Sequence, residues 1–375
     1  MNGSEKILLI ATEFPPGPGG IGNHAFNLAK YLKINDIDIE VLTVSDFTDK
    51  DSEINFDAKQ NFDIVRFKRY KNRIKTYRER IKTIRETVKK ANYTHIIFSG
   101  RFALYSSLFL KNHHGKVKLI AVAHGGDVNV ENSIERNYVN KALTRMDLIV
   151  PVSNYSRCKL SPSINSERVV VIPNGFDFDN IEKIKVSEKL FDNGCLNLVS
   201  VGTIWPRKGH HNVLNAFSKI LQKYPEAKYN IVGRLADTSK VKDFFEDEKL
   251  RTHLKVHGPV SNEEMHKVLN GSQIFILLSE SQSDGDFEGF GIAVIEANYF
   301  GLPAIGSKNS GLEDAISNGV SGVLVDPHDP NEVSEAIHTI KKNYSKFSEG
   351  ARQWAMKHHW SKIINSYIKA IGGIN

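Results

Sequence analysis

Apolar residues fall along this chain in short runs separated by longer stretches of mixed polarity. Residues 6–12, 37–44, 63–67, 95–98, 117–122, 148–152 and 169–172 form such runs, rich in Ile, Val, Leu and Phe. Short runs with little alternation are expected of strands buried on both faces. Between them lie segments of helical period, the first over residues 22–33. Strand and helix in alternation predict an α/β fold, a parallel sheet covered on both faces with its functional loops at the carboxyl ends of the strands.

The series pauses and then restarts. Pro173-Asn174-Gly175-Phe176-Asp177 is good turn chemistry, and residues 179–193 are charged and weakly patterned, as in a linker or an entry helix. Strand-like runs resume at 196–202, 229–233, 255–260, 274–279, 304–306 and 322–325, with helical segments between them. Asp329 and Pro330 read as the N-cap and first residue of a further helix, and residues 347–371 are helical in pattern. A chain of 375 residues exceeds what one core usually supports. The restart predicts two Rossmann-like domains, residues 1–178 and 179–355, followed by a C-terminal helix over 356–375.

Composition narrows the class. An apolar fraction of 40% with 25% charged residues is ordinary for a soluble globular protein. The apolar run at 7–11 is too short for a signal peptide or a membrane span. The only cysteines, Cys158 and Cys195, lack ligand-like spacing and suggest neither a disulfide framework nor a zinc site. A cytoplasmic protein is expected. Its net charge of +7 is unevenly spread: between Arg66 and Lys90 the only acids are Glu79 and Glu86. There Tyr70, Ile74, Tyr77, Ile81, Ile84, Val88 and Ala91 step by four and three, predicting a basic amphipathic helix with one apolar stripe. Three readings compete: a surface helix packed on its own domain, a membrane-surface helix presenting Arg78, Lys82 and Arg85 to anionic lipid, and a nucleic-acid arm. No nucleic-acid module signature accompanies it.

Candidate chemistry gathers in strand-to-helix loops. Glu288-Gly289-Phe290-Gly291-Ile292 leads into Ala293-Val294-Ile295-Glu296. Helix-start amides at Phe290, Gly291 and Ile292 suit an anion, and two Glu in so apolar a setting call for partners. Glu288 is expected at the helix mouth and Glu296 two turns in, roughly 12 Å apart along an axis rising about 1.5 Å per residue. Gly202-Thr203-Ile204-Trp205-Pro206-Arg207-Lys208-Gly209 offers two cations suited to a diphosphate. Gly17, Gly19 and Gly22 fit G-x-G-x-x-G with Asp46 as a possible ribose-binding acid. Glu13 and two prolines intervene after the strand, unlike a dinucleotide fingerprint. His124-Gly125-Gly126-Asp127 closes another strand, with Asp127 either facing an acceptor or capping the next helix. Asp284 and Asp286 form an Asp-x-Asp pair but lack further ligands nearby, so no metal is expected.

The segment from Glu288 to Glu296 resembles the Glu-x7-Glu signature of family 4 glycosyltransferases, which are retaining enzymes of the GT-B fold. Lys208-Gly209, Gly19-Gly20 and the Pro-Asn-Gly-x-Asp segment at 173–177 extend the resemblance over nearly the whole chain. It implies two Rossmann-like domains facing across a cleft, with the C-terminal helix crossing back to the first domain. It also implies a nucleoside-diphosphate sugar donor, UDP- or GDP-linked, and a glycan or lipid-linked acceptor, with no cofactor. By the same resemblance Glu288 holds sugar hydroxyls and Glu296 the ribose. Arg207 and Lys208 hold the diphosphate, Gly19 and Gly20 meet donor phosphate and acceptor, His124 lies beside the sugar, and Val260 is near the base. Many members carry Arg directly after the first Gly of the phosphate loop; here that position is Thr203, and Arg207 is expected to substitute. A sugar-nucleotide epimerase, a phosphorylase, an NAD-linked oxidoreductase and a non-catalytic lipid-binding protein are the competing readings.

Overall fold

The structure, a computed structural model, describes residues 5–17, 19–45, 49–110, 117–179, 181 and 195–374. The chain sorts into two compact units: residues 1–175 together with 360–375, and residues 176–359. Asp46 and most of the 179–193 segment lie outside the described residues.

Unit 1 contains β1 (Lys6–Ala11), β2 (Asp38–Val44), β3 (Asp63–Phe67), β4 (His95–Ser99), β5 (Lys118–Ala123) and β6 (Leu148–Pro151). They form one parallel sheet in the order β3-β2-β1-β4-β5-β6. The central strand β1 is flanked on both sides, and Ile7 to Ala11 are all sealed from solvent. Its first helix, Gly20–Ile34, begins two residues before the expected start, so Gly20 and Gly22 lie in its opening turn. The run at 169–172 is not a seventh strand. Val170 N donates to Ile149 O at 3.0 Å and Ile172 N to Pro151 O at 3.1 Å, leaving a single bridge at Val169. Pro151 has no N–H to return, so the ladder cannot close.

The basic segment also departs from its pattern. Arg66 belongs to β3, and the helix runs Arg73–Lys90. Its buried face is Thr76, Arg80, Ile84 and Val88, an i, i+4 series. Ile74 and Tyr77 are 73% and 46% exposed. The expected single stripe therefore splits: its carboxyl half packs and its amino half faces solvent, together with Arg78, Lys82 and Arg85.

Unit 2 contains β7 (Asn197–Val201), β8 (Lys228–Val232), β9 (Leu254–Gly258), β10 (Ile274–Leu277), β11 (Ala304–Ser307) and β12 (Gly322–Val325). They form a second parallel sheet in the order β12-β11-β10-β7-β8-β9. The helix His210–Lys223 seals one face by burying Val213, Leu214, Phe217 and Ile220. Asp329 caps the helix Pro330–Lys342, its side chain accepting from Asn331 N. The expected helix over 347–371 is two helices, Tyr344–Lys357 and Trp360–Gly372, broken where the chain passes from unit 2 to unit 1.

The second of these completes the core of unit 1. Trp360 is fully buried and stacks with Tyr31 and Tyr367 at 6.2 Å each. A Cβ on Gly175 would lie 3.0 Å from the Trp360 ring, so the chain leaves this unit directly against the residue by which it returns. Among the described residues no helix is long and apolar enough to cross a membrane.

Candidate active site

In unit 2 the neighbouring strands β7 and β10 bring two loops together at their carboxyl ends. After β7, residues Pro206–Lys208 make a single 3-10 turn that ends at Gly209. Gly209 has φ 67°, and a Cβ there would lie 1.6 Å from Leu278 O, so no side chain fits. Glu280 N donates to Arg207 O at 2.9 Å. These contacts fix Arg207 and Lys208 beside the exit of β10. The helix His210–Lys223 follows at once, with no side-chain cap on its first amides.

The loop after β10 delivers Glu288 to both cations. Arg207 Nη1 donates to Glu288 Oε2 at 2.9 Å and Lys208 Nζ to the same oxygen at 2.6 Å. Burial alone would raise the Glu288 pKa; the charges of Lys208 and Arg207 outweigh it and hold the carboxyl at about 2. Asp286 Oδ2 stands 2.9 Å from Arg207 Nε, an ion pair in which the N–H is not aligned as a hydrogen bond. Asp284 accepts from Asp286 N at 3.0 Å, so the Asp-x-Asp pair is occupied by its own turn and by Arg207. Among the described residues one trio, Asp177, Asp179 and His359, brings possible metal-ligand atoms within 4.8 Å of one another, and this pair is not part of it.

Gly291, at φ 92°, is the N-cap of the helix Ile292–Tyr299, again without a side-chain cap. Residues 288–291 are therefore loop, and Glu296 lies little more than one turn into the helix, not two. Glu296 is buried, its Oε1 3.1 Å from His266 Nε2. His266 packs on the Phe300 ring at 5.1 Å. The sequence reading missed it. Its only signal was a polar residue on the inward face of the helix Asn262–Asn270, whose other buried residue is Leu269. Also missed was Glu280, which meets Lys240 Nζ at 2.6 Å and His211 Nε2 at 3.4 Å. Although burial raises its pKa, the Lys240 hydrogen bond and the charge facing it from His211 bring it down to about 2. Val260 is half-buried two residues past β9, whose last residue, Gly258, accepts from Gly233 N at 3.0 Å.

Unit 1 carries a second cluster. A Cβ on Gly19, at φ 138°, would meet Glu13 Oε2 at 2.3 Å. The Gly19-Gly20 backbone thus lies against the Glu13 carboxyl, which burial keeps above its ordinary pKa. His124 shares a 2.9 Å hydrogen bond with Ser99 Oγ, and its ring meets that of His24 edge-on at 4.8 Å. Asp127 neither caps the next helix, whose N-cap is Asn132, nor projects freely. Its carboxylate accepts from Gly125 N at 2.7 Å and His124 N at 2.9 Å and so shapes the loop.

His24 is sealed from solvent and hydrogen-bonded to Tyr367 at 2.9 Å. Burial, then the neighbouring His124, pushes its pKa well below the usual value of 6.5. The unfolded chain takes up a proton near pH 6.5 that the folded unit refuses, so stability is full above that pH and declines below it. Stability should fall by about 1.4 kcal/mol per pH unit below 6.5 for this group alone. His24→Gln should flatten that slope in denaturant melts between pH 7.5 and 5; an unchanged slope would refute the assignment.

The structure therefore joins Arg207 and Lys208 to Glu288 in the loop that leads through Phe290 and Gly291 to the helix start at Ile292. It places Glu296 in its own pair with His266, and in unit 1 it sets Gly19 against Glu13 and His124 against Ser99 and His24. Residues 182–354 match the family described as glycosyl transferases group 1, and residues 18–180 match glycosyltransferase family 4. Two six-stranded parallel sheets with these loops define a GT-B glycosyltransferase fold. The chain belongs to the group 1 glycosyltransferases of family 4. It is 24% identical to an uncharacterised glycosyltransferase of Methanocaldococcus jannaschii, over 95% of both chains. Over 59% of its length it is 28% identical to the amylovoran biosynthesis glycosyltransferase AmsK of Erwinia amylovora, spanning 54% of that protein. Anabaena HepE, solved with UDP and glucose, shares the fold at a TM-score of 0.74 and 17% identity, covering 98% of this chain and 99% of that one.

Proposed function

We propose that this protein is a retaining hexosyltransferase. It moves a sugar from a UDP- or GDP-linked donor to an acceptor hydroxyl of a glycan or lipid-linked glycan, in the synthesis of polysaccharide, lipopolysaccharide or glycolipid. One observation carries the reading: Arg207, Lys208 and an uncapped helix start converge on the loop that holds the buried carboxylate Glu288. The neighbour that holds UDP and glucose and the relative named for amylovoran biosynthesis support the donor and product classes.

Arg207, Lys208 and the amides at 290–292 take the diphosphate, and their charge meets the negative charge that grows on it as the glycosidic bond breaks. Glu288, ionised between its two cations, accepts sugar hydroxyls. Glu296, oriented by His266, accepts the ribose hydroxyls. In unit 1, burial lowers the pKa of His124 and so keeps its ring neutral. The acceptor oxygen bonds to the anomeric carbon on the face from which the diphosphate leaves, and its proton passes to the departing phosphate oxygen. Arg207 and Lys208 supply the neutralising charge, so no divalent cation or other cofactor is assigned.

A thermal-shift panel of UDP, GDP, ADP, CDP and NAD, each with and without a chelator, tests this. A ligand at 100 times its dissociation constant stabilises by about 2.7 kcal/mol. A chelator-insensitive shift with UDP or GDP is expected; stabilisation by NAD alone would overturn the reading.

A further inference from the structure

Arg207 faces two carboxylates, both in unit 2. Its Nη1 donates to Glu288 Oε2 at 2.9 Å, and its Nε stands 2.9 Å from Asp286 Oδ2. A guanidinium takes a phosphate by a fork of two neighbouring N–H groups. Each neighbouring pair of nitrogens on Arg207, Nε with Nη2 or Nη1 with Nη2, includes one that already meets a carboxylate. The charges balance as well: Arg207 and Lys208 stand against Glu288 and Asp286, positive and negative in equal number. A diphosphate, with a negative charge on each phosphate, therefore meets a neutral cluster. One carboxylate has to give way before both cations can turn to it.

The two acids are held differently. The Glu288 side chain is 10% exposed and shared by Lys208 and Arg207, so withdrawing it would strand buried charge. The Asp286 side chain is 40% exposed, and its contact is with an Arg207 Nε that is sealed from water yet has no aligned acceptor. A half-exposed ion pair of poor geometry is weak, and a buried donor without an aligned acceptor gains from a better one. The main chain at Asp286 is fixed by Gln282 N donating to Asp286 O at 2.8 Å and by Asp286 N donating to Asp284 Oδ1 at 3.0 Å. The carboxylate can therefore turn to solvent about its own side-chain bonds while the backbone stays in place.

We propose that Asp286 competes with the donor's phosphate for Arg207, yielding the Nε edge as the diphosphate binds and retaking it as the nucleoside diphosphate leaves. The inference rests on reading Arg207 and Lys208 as the diphosphate site. It gives Asp286 a part in product release, a step that limits turnover in many enzymes.

The full chain is titrated calorimetrically with pyrophosphate, UDP and GDP, beside Asp286→Asn, Asp286→Ala and Asp284→Asn. Pyrophosphate reports on the charged site without a base or a sugar. Asp286→Asn should bind pyrophosphate, and whichever nucleotide the parent binds, roughly fivefold more tightly, the equivalent of about 1 kcal/mol for an exposed ion pair. Nucleotide release in stopped flow should slow by a similar factor. Asp286→Ala, which offers a phosphate no amide, should tighten in the same way. Asp284→Asn alters the turn without touching Arg207 and should stay within a factor of about two of the parent. A parent that binds while the Asp286 variants are unchanged or weaker would overturn the inference alone, because a carboxylate that only braces Arg207 weakens binding when it is lost. Equal tightening in Asp284→Asn would also overturn it, by tracing the gain to a loosened turn. A parent that binds none of the three probes would overturn the diphosphate site and this inference with it.

Discussion

Lys208→Ala is expected to lower kcat by about one to three orders of magnitude, the range for removing one preorganised charge that meets a leaving group. Its Nζ lies 2.6 Å from Glu288 Oε2, and Arg207 approaches the same oxygen. Losing the lysine therefore leaves Glu288 buried against a single cation, and its carboxyl pKa rises from about 2. Single-turnover kinetics with the nucleotide sugar found in the thermal-shift panel would measure the effect. Lys208→Arg should recover part of it, because charge is restored at a different reach. Turnover within a factor of about three of the parent would remove Lys208 from the proposed diphosphate site.

Gly209→Ala should destabilise unit 2 by about 3–5 kcal/mol, a size reserved for a short list of mechanisms that includes backbone strain and overpacking. Both apply: the residue sits at φ 67°, and the added methyl would overlap Leu278 O at 1.6 Å. Neither the turn nor the first residues past β10 can move without displacing the Arg207 carbonyl from Glu280 N. Calorimetry should show a transition lowered by about 10 °C, at 2–4 °C per kcal/mol for a unit of this size. Gly319→Ala provides a comparison. It also has positive φ, at 77°, but nothing lies within 4 Å of its added Cβ, so only the local strain of about 1–2 kcal/mol is expected. Equal losses at the two positions would show that crowding at Gly209 does not matter.

Most of the fold was legible because buried parallel strands leave short apolar runs, and none of the twelve described strands extends more than one residue beyond such a run at either end. The run at 169–172 misled for the same reason: it is apolar, but the neighbouring Pro151 cannot complete its hydrogen bonds. Glu288 and the Arg207-Lys208 pair were legible as separate loops, yet nothing along the chain showed that both cations share one carboxylate oxygen across some eighty residues of sequence. The helix boundary at Gly291 was misplaced, since periodicity does not distinguish residues 288–291 in a loop from a first turn. His266 and Glu280 were invisible because their partners are set by tertiary packing alone. The stripe at 70–91 failed at Arg80, whose stem and ring contacts allow a cation where the period asks for an apolar residue.

The helix Trp360–Gly372 belongs to unit 1 although the whole of unit 2 separates it from the rest of that unit. On a ribosome this reverses the apparent order of assembly. Unit 2 is continuous in sequence and can close as soon as it has emerged, whereas unit 1, begun first, waits for Trp360 and Tyr367 to fill the space beside His24 and Tyr31. Until those last residues arrive, a nascent chain carries an unfinished aromatic core at its amino end, so a chain stopped before residue 360 should be recognised as a chaperone client and not as a shortened enzyme.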